Sequence, residues 1–152
     1  MSVGSFYNYF KSKEVILIEI FKRADIYFEN EVLNNLSSIN ALDQIVEFFT
    51  YYAKYNEAVG IDTMKRLYNF NNKMFITKGR YMQTLLQDLI TNGQDKGEIS
   101  HNMTVNEITE YLFIAARGIA YDWCLHDGKY DIKEFMYNYF KNLVVIFKNT
   151  QE

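Results

Sequence analysis

Apolar residues recur along this chain at intervals of three and four almost from end to end, the spacing of helices with one buried face. In SVGSFYNYF, residues 2–10, Val3, Phe6, Tyr7 and Phe10 fall on one side of a helix of little more than two turns, too short to stand alone. Ser12 offers an N-cap and Glu14 an acidic first turn for a second helix reaching about residue 36, with Val15, Ile18, Phe21 and Phe28 on its apolar face. Asn40 with Asp43 opens the next, whose stripe is Leu42, Ile45, Phe49, Tyr52 and Ala53 and whose end lies near Gly60.

The periodicity is interrupted over 61–78, where a shorter helix carries Met64, Leu67 and Tyr68 before a turn near Gly79. It resumes over 80–96 through Met82, Leu85, Leu86, Leu89 and Ile90, and Gly97 suits a left-handed C-cap. Thr104 with Glu107 forms a capping box, and Asp131 with Glu134 a weaker one. The helix after the first box, over 105–126, is apolar on nearly every side, a pattern expected of a helix buried on both faces. The helix after the second, over 132–148, carries Phe135, Met136, Tyr139, Leu143 and Ile146 as its stripe, widened by Val144, Val145 and Phe147. About seven helices account for the chain, and no alternating run is long enough to require a strand.

Composition agrees with an all-α fold. None of the 152 residues is proline, so long helices run without forced breaks, and 49% hydrophobic residues suffice for one sizeable core. A net charge of -3 excludes a surface that is basic throughout, so any contact with nucleic acid must be local. A single cysteine, Cys124, excludes an internal disulfide. No apolar run has the length of a membrane span and no signal peptide opens the chain, which reads as cytoplasmic with no membrane partner.

The stretch SVGSFYNYFKSKEVIL, through Gly4, Ser5, Phe6, Tyr7, Tyr9, Phe10, Ser12, Lys13 and Glu14 in unbroken register, resembles the end of the helix-turn-helix of TetR-type bacterial transcriptional regulators. There a short recognition helix leads into a long connecting helix. GQDKGEIS at 93–100 and ARGIAYDWCLHDGKYD at 116–131 are similar to the regulatory half of such proteins. The resemblance implies a TetR-type regulatory domain of about six helices, residues 14–152, preceded by a remnant of the recognition helix, residues 1–13. It places Val3, Gly4 and Ser5 at groove contacts, Tyr7 and Tyr9 at phosphates or bases, and Lys13 at a phosphate. Phe6 and Phe10 would hold the small domain together. Read without that register, the two tyrosines are packing aromatics. The first two helices of the reading head have no counterpart before Ser2, so operator DNA is expected as a partner of the full-length regulator and not of this chain.

The resemblance also puts Tyr52, Met64, Leu67, Tyr68, Phe75, Tyr81, Leu85, Phe113 and Tyr121 on the helices that enclose an inducer cavity, where they could surround a flat apolar molecule; helical stripes of this kind also serve as plain core. Arg117 sits within the most apolar helix, and a buried guanidinium must find a carboxylate, a carbonyl or an anion. It forms an ion pair with Asp122, Glu110 or an acid on a neighbouring helix, or it receives the negative group of a ligand.

His101, Cys124 and His126 are the only soft metal-ligand types, and Cys124 and His126, two apart on a helix, diverge, so no metal site is expected. No cofactor motif, nucleophile arrangement or paired carboxylate has usable spacing, and an enzyme is not expected. The last two helices are expected to form a symmetric homodimer as a four-helix bundle through Ile108, Leu112, Ala115, Ile119, Trp123, Phe135, Tyr139, Leu143 and Ile146. The function implied is a ligand-responsive DNA-binding regulator, a repressor released by a small apolar or aromatic inducer. The alternative is a helical dimerisation or scaffold module with no DNA or ligand role.

Overall fold

The computed structural model describes residues 3–150, with side chains described at 13 and from 15 onward. Among these residues the chain is all helical, its one β feature an isolated antiparallel bridge between Ile99 and Lys148. The elements are α1 (Val3–Tyr27), α2 (Leu33–Asn35), α3 (Ala41–Val59), α4 (Ile61–Leu67), α5 (Tyr81–Asp95), α6 (Val105–Leu125) and α7 (Ile132–Leu143).

The expected break at Ser12 is absent, because α1 runs unbroken through it. Between Gly4 and Tyr27 there is neither glycine nor proline to interrupt the ladder, so no helix end falls at Ser12. The helix also continues past Tyr27 through a π turn, Phe28–Val32, in which the Leu33 amide donates to the Phe28 carbonyl, and then into α2. Ala24, Phe28, Val32 and Leu36 are each four residues apart, and the first three are buried. In a pure α-helix that spacing drifts around the surface; the wider turn takes up the drift and keeps them facing the core.

At the centre stands α3, packed against α4, α5, α6 and α7. It begins where expected: Asn40 Oδ1 accepts the Asp43 amide at 2.9 Å. Ile45, Phe48, Phe49 and Ala53 are fully buried on it, and Phe49 stacks on Phe140 of α7 with centroids 4.2 Å apart. The Thr104 and Glu107 box also forms, with reciprocal bonds of 3.1 and 2.7 Å. Asp131 caps α7 by accepting the Lys133 and Glu134 amides.

α5 closes on Gly97, whose φ of +74° is the left-handed conformation a C-terminal turn requires, while the Glu98 and Ile99 amides return to the Gly93 carbonyl. The chain's end is pinned to this loop. Ser100 donates to the Phe147 carbonyl at 2.8 Å and Asn149 to the Glu98 carbonyl at 3.0 Å.

Two expected faces are corrected. α7 ends at Leu143 and passes into a 3-10 turn, Val144–Phe147, and its buried stripe is Ile132, Met136, Phe140, Val144 and Phe147. Phe135, Tyr139 and Ile146 lie exposed on the other side. α6 is buried within the chain on one face, through Ile108, Leu112, Ala116, Ile119, Ala120 and Trp123, while Tyr111, Ile114, Tyr121 and Leu125 are exposed on the other. Both helices are apolar on two sides, so periodicity marks them as helices without saying which side meets the core.

Candidate functional site

The middle of α1 faces α3, α4, α5 and α6 across a cavity of about 40 Å³, bounded by Ile20, Phe21 and Ala24 of α1, Tyr52 and Asn56 of α3, Met64 and Leu67 of α4, and Phe113 and Arg117 of α6, with Phe75 and Arg80 closing it. Roughly 150 Å³ accommodates a benzene ring, so this space is too small for one as it stands. Outside it lies a cleft of about 460 Å³ between the 75–79 turn, α5 and α6, which shares Phe75, Gln83, Phe113 and Arg117 with the cavity. A shallower hollow of about 350 Å³ is bounded by Tyr68, Phe70, Phe75, Arg117 and Tyr121. Phe75 and Arg117 are thus walls of all three spaces.

The charged groups of the cavity are disposed unequally. Arg80 is tied down: its Nε donates to Asp25 Oδ2 at 3.1 Å and its Nη2 to the Phe21 carbonyl at 3.4 Å, with the guanidinium over the Phe21 ring. The other carboxylate oxygen of Asp25 accepts the Met82 amide at 3.2 Å.

Among the described residues Arg117 has no such partner. Neither expected acid reaches it, since Glu110 pairs with Lys78 at 3.1 Å and Asp122 accepts from the Tyr130 hydroxyl at 3.1 Å and lies 3.4 Å from His126. The helix turn carries those two carboxylates to positions facing other partners. Arg117 makes one long contact, Nη1 to the Phe75 carbonyl at 3.5 Å.

Nearby, the buried Asn56 Nδ2 and Tyr68 Oη have no hydrogen-bond partner among the described residues. Burial pushes the Tyr52 and Tyr68 hydroxyls upward from their usual range, Tyr68 strongly because the Tyr52 oxygen adds to the effect, while the Arg117 charge draws both back. Both phenols are therefore neutral hydrogen-bonding groups.

Of the residues expected at the cavity, Tyr52, Met64, Leu67, Phe75, Phe113 and Arg117 are brought together there, and Tyr68 and Tyr121 border the outer hollow. Leu85 is instead a core residue and Tyr81 packs against the core, so neither reaches these spaces. Sequence reasoning missed Ile20, Phe21, Ala24, Asn56 and Arg80. Phe21 was legible as apolar, but which helix it faces depends on long-range packing.

The residues expected at DNA fall at the start of α1: the side chains of Val3, Gly4, Ser5, Tyr7 and Tyr9 lie outside the described residues, and Lys13 is exposed. Of those expected between two copies, Ile108, Leu112, Ile119 and Trp123 are consumed in the chain's own core and have no surface to offer a second chain. Ala115 and Leu143 are half-buried, while Phe135, Tyr139 and Ile146 are exposed. Among the described residues no three metal-ligating side chains converge, and no helix is long and apolar enough to cross a membrane.

Compared with known proteins, residues 71–146 match the family described as YsiA-like protein, C-terminal region, one of the TetR C-terminal domain families. No curated protein and no solved structure matches the chain. The match takes in the 75–79 turn, α5, α6 and α7, which are the outer cleft and the two helices with apolar faces on both sides. The match spans half of the sequence and the all-helical fold accords with it, and the chain belongs to the TetR-type regulators through their C-terminal regulatory domain.

Proposed function

We propose that the chain is the ligand-sensing and dimerising part of a DNA-binding transcriptional regulator, a repressor released by a small apolar or aromatic inducer. The observation that carries this reading is that α1 serves two ends at once. Ile20, Phe21 and Ala24 form one wall of the cavity, and the same helix begins within the SVGSFYNYFKSKE stretch, at Val3. Val3, Gly4, Ser5, Tyr7, Tyr9 and Lys13 are assigned to groove and phosphate contacts in the complete reading head.

An inducer entering between α1 and α6 must separate walls that enclose only about 40 Å³, and it therefore binds one pose of α1 better than the other. That difference in affinity is the energy of the switch. Two copies associate through the exposed faces of α6 and α7, whose large apolar residues are Tyr111, Ile114, Tyr121, Leu125, Phe135 and Tyr139.

The test is a footprint on the DNA flanking the gene, made with the protein read from the whole open reading frame that holds this chain. Two half-sites related by two-fold symmetry are expected. Uniform, sequence-independent binding, or none, removes the reading and leaves a helical dimerisation module.

A further inference from the structure

The hydrogen-bonding groups left over around the cavity share one property. The Asn56 Nδ2, the Tyr68 hydroxyl and the Arg117 guanidinium can all donate, and among the described residues Asn56 Nδ2 is buried without an acceptor while the Tyr68 hydroxyl has only the neighbouring Tyr52 oxygen beside it. Arg117 uses one of its five N–H groups, at the 3.5 Å limit of a hydrogen bond.

The cleft outside repeats the imbalance. Its charged walls are Lys78, Glu110 and Arg117, and the first two neutralise each other at 3.1 Å. Its amides are also engaged, Gln83 Nε2 with the Thr77 carbonyl and Gln87 Nε2 with Asn106 Oδ1. What remains is one positive charge, half-buried where all three spaces meet, with the apolar rings of Phe75 and Phe113 beside it. A cation removed from water in such surroundings is stabilised by an anion with two oxygens in the plane of its fork.

We infer that the ligand is an organic acid, an apolar body carrying one anionic group, and that Arg117 receives the anion while the body lies along Phe75 and Phe113. This rests on the ligand-sensing reading above and adds the charge. The anion takes the place of the Phe75 carbonyl on Arg117, which frees the 74–76 turn from α6 and joins the cleft to the inner cavity.

The experiment titrates the whole chain with two fluorescent probes of one aromatic body. 8-Anilinonaphthalene-1-sulfonate carries an anionic group, and N-phenyl-1-naphthylamine lacks it. Saturable binding of one molecule per chain is expected, at least tenfold tighter for the sulfonate. Arg117→Gln is expected to weaken the sulfonate at least tenfold and the neutral probe by less than threefold, with Arg117→Lys between wild type and Gln for the sulfonate. The wild-type comparison stands even if a variant fails to fold. Equal affinities, or a sulfonate preference that survives Arg117→Gln in a folded protein, overturn the assignment of an acid while leaving an apolar cavity. If neither probe binds at a saturable site, the ligand-sensing reading falls with it.

Discussion

Arg80 holds Asp25 at 3.1 Å in a pair whose side chains are only 11% and 23% exposed, so one bond at the start of α5 secures the middle of α1. The same carboxylate accepts the Met82 amide, and removing it strands two donors. Asp25→Ala is expected to cost about 2 kcal/mol, less than the loss of one partner from a fully buried pair because both groups retain some water. Urea denaturation measures it, and Glu19→Ala, which breaks the exposed pair with Arg23, serves as the control, with a loss of at most about 0.5 kcal/mol.

Gly93 permits the close approach of three elements. A Cβ there would lie 2.5 Å from Ile99 Cδ1 and 2.6 Å from the Cβ of Ala41, and the latter is fixed to the backbone of α3. Gly93→Ala is therefore expected to destabilise by about 1–3 kcal/mol, although alanine is the better helix former. A rise in the urea midpoint would contradict this.

Glu47 closes the connector before α3. Burial alone would raise its pKa, but the amides and hydroxyls of Ser37 and Ser38 donate to it, outweigh burial and hold it below the usual carboxylate range. A carboxylate with a lowered folded pKa contributes stability that is fully present above its unfolded pKa, near 4.5, and is lost as the pH falls through the folded value. Glu47→Gln is expected to be less stable than wild type at pH 7, and the gap is expected to narrow below about pH 4.5. Thermal melts from pH 3 to 7 check the sign, and a gap that widens in acid would refute it.

Much of this was readable in advance where chemistry is local. Asn40 with Asp43, Thr104 with Glu107 and Gly97 each carry their function within four residues, and each forms as expected. At Ser12 the same chemistry has no helix end to serve, because α1 runs through that position and no residue nearby breaks it. The faces of α6 and α7 were ambiguous in principle. Met136 and Phe140 turn inward and Phe135 and Tyr139 outward, and the packing of α7 on α3, where Phe49 stacks on Phe140, decides between two apolar stripes. Arg117 was visible as an odd charge in an apolar helix, whereas its lack of an acid depends on where Glu110 and Asp122 find partners.

Between two copies, the difference lies in which side of α6 is altered. Ile114 is 61% exposed and Ile119 4%. Ile114→Asp with Tyr139→Asp is expected to leave the melting temperature of the separated chain within a few degrees while converting a dimer to a monomer at micromolar concentration. Ile119→Asp is expected to unfold the chain, since it places a charge in the core. Sedimentation with far-UV circular dichroism separates the two, and a double variant that dimerises as tightly as wild type would exclude this interface.

The π turn at Phe28–Val32 sets the azimuth of everything ahead of it. Each residue of an α-helix rotates the chain by about 100°. Winding the same residues in plain α geometry, with none removed, would swing the leading part of α1 around its own axis by about that angle relative to α3–α7, whereas the wide turn absorbs the extra residue. Phe21, Ala24 and Asp25 could not then all meet their present neighbours, and the first turns of the helix would point in another direction. One surplus residue, remote from both ends of the chain, thus phases the SVGSFYNYF segment against the helical body.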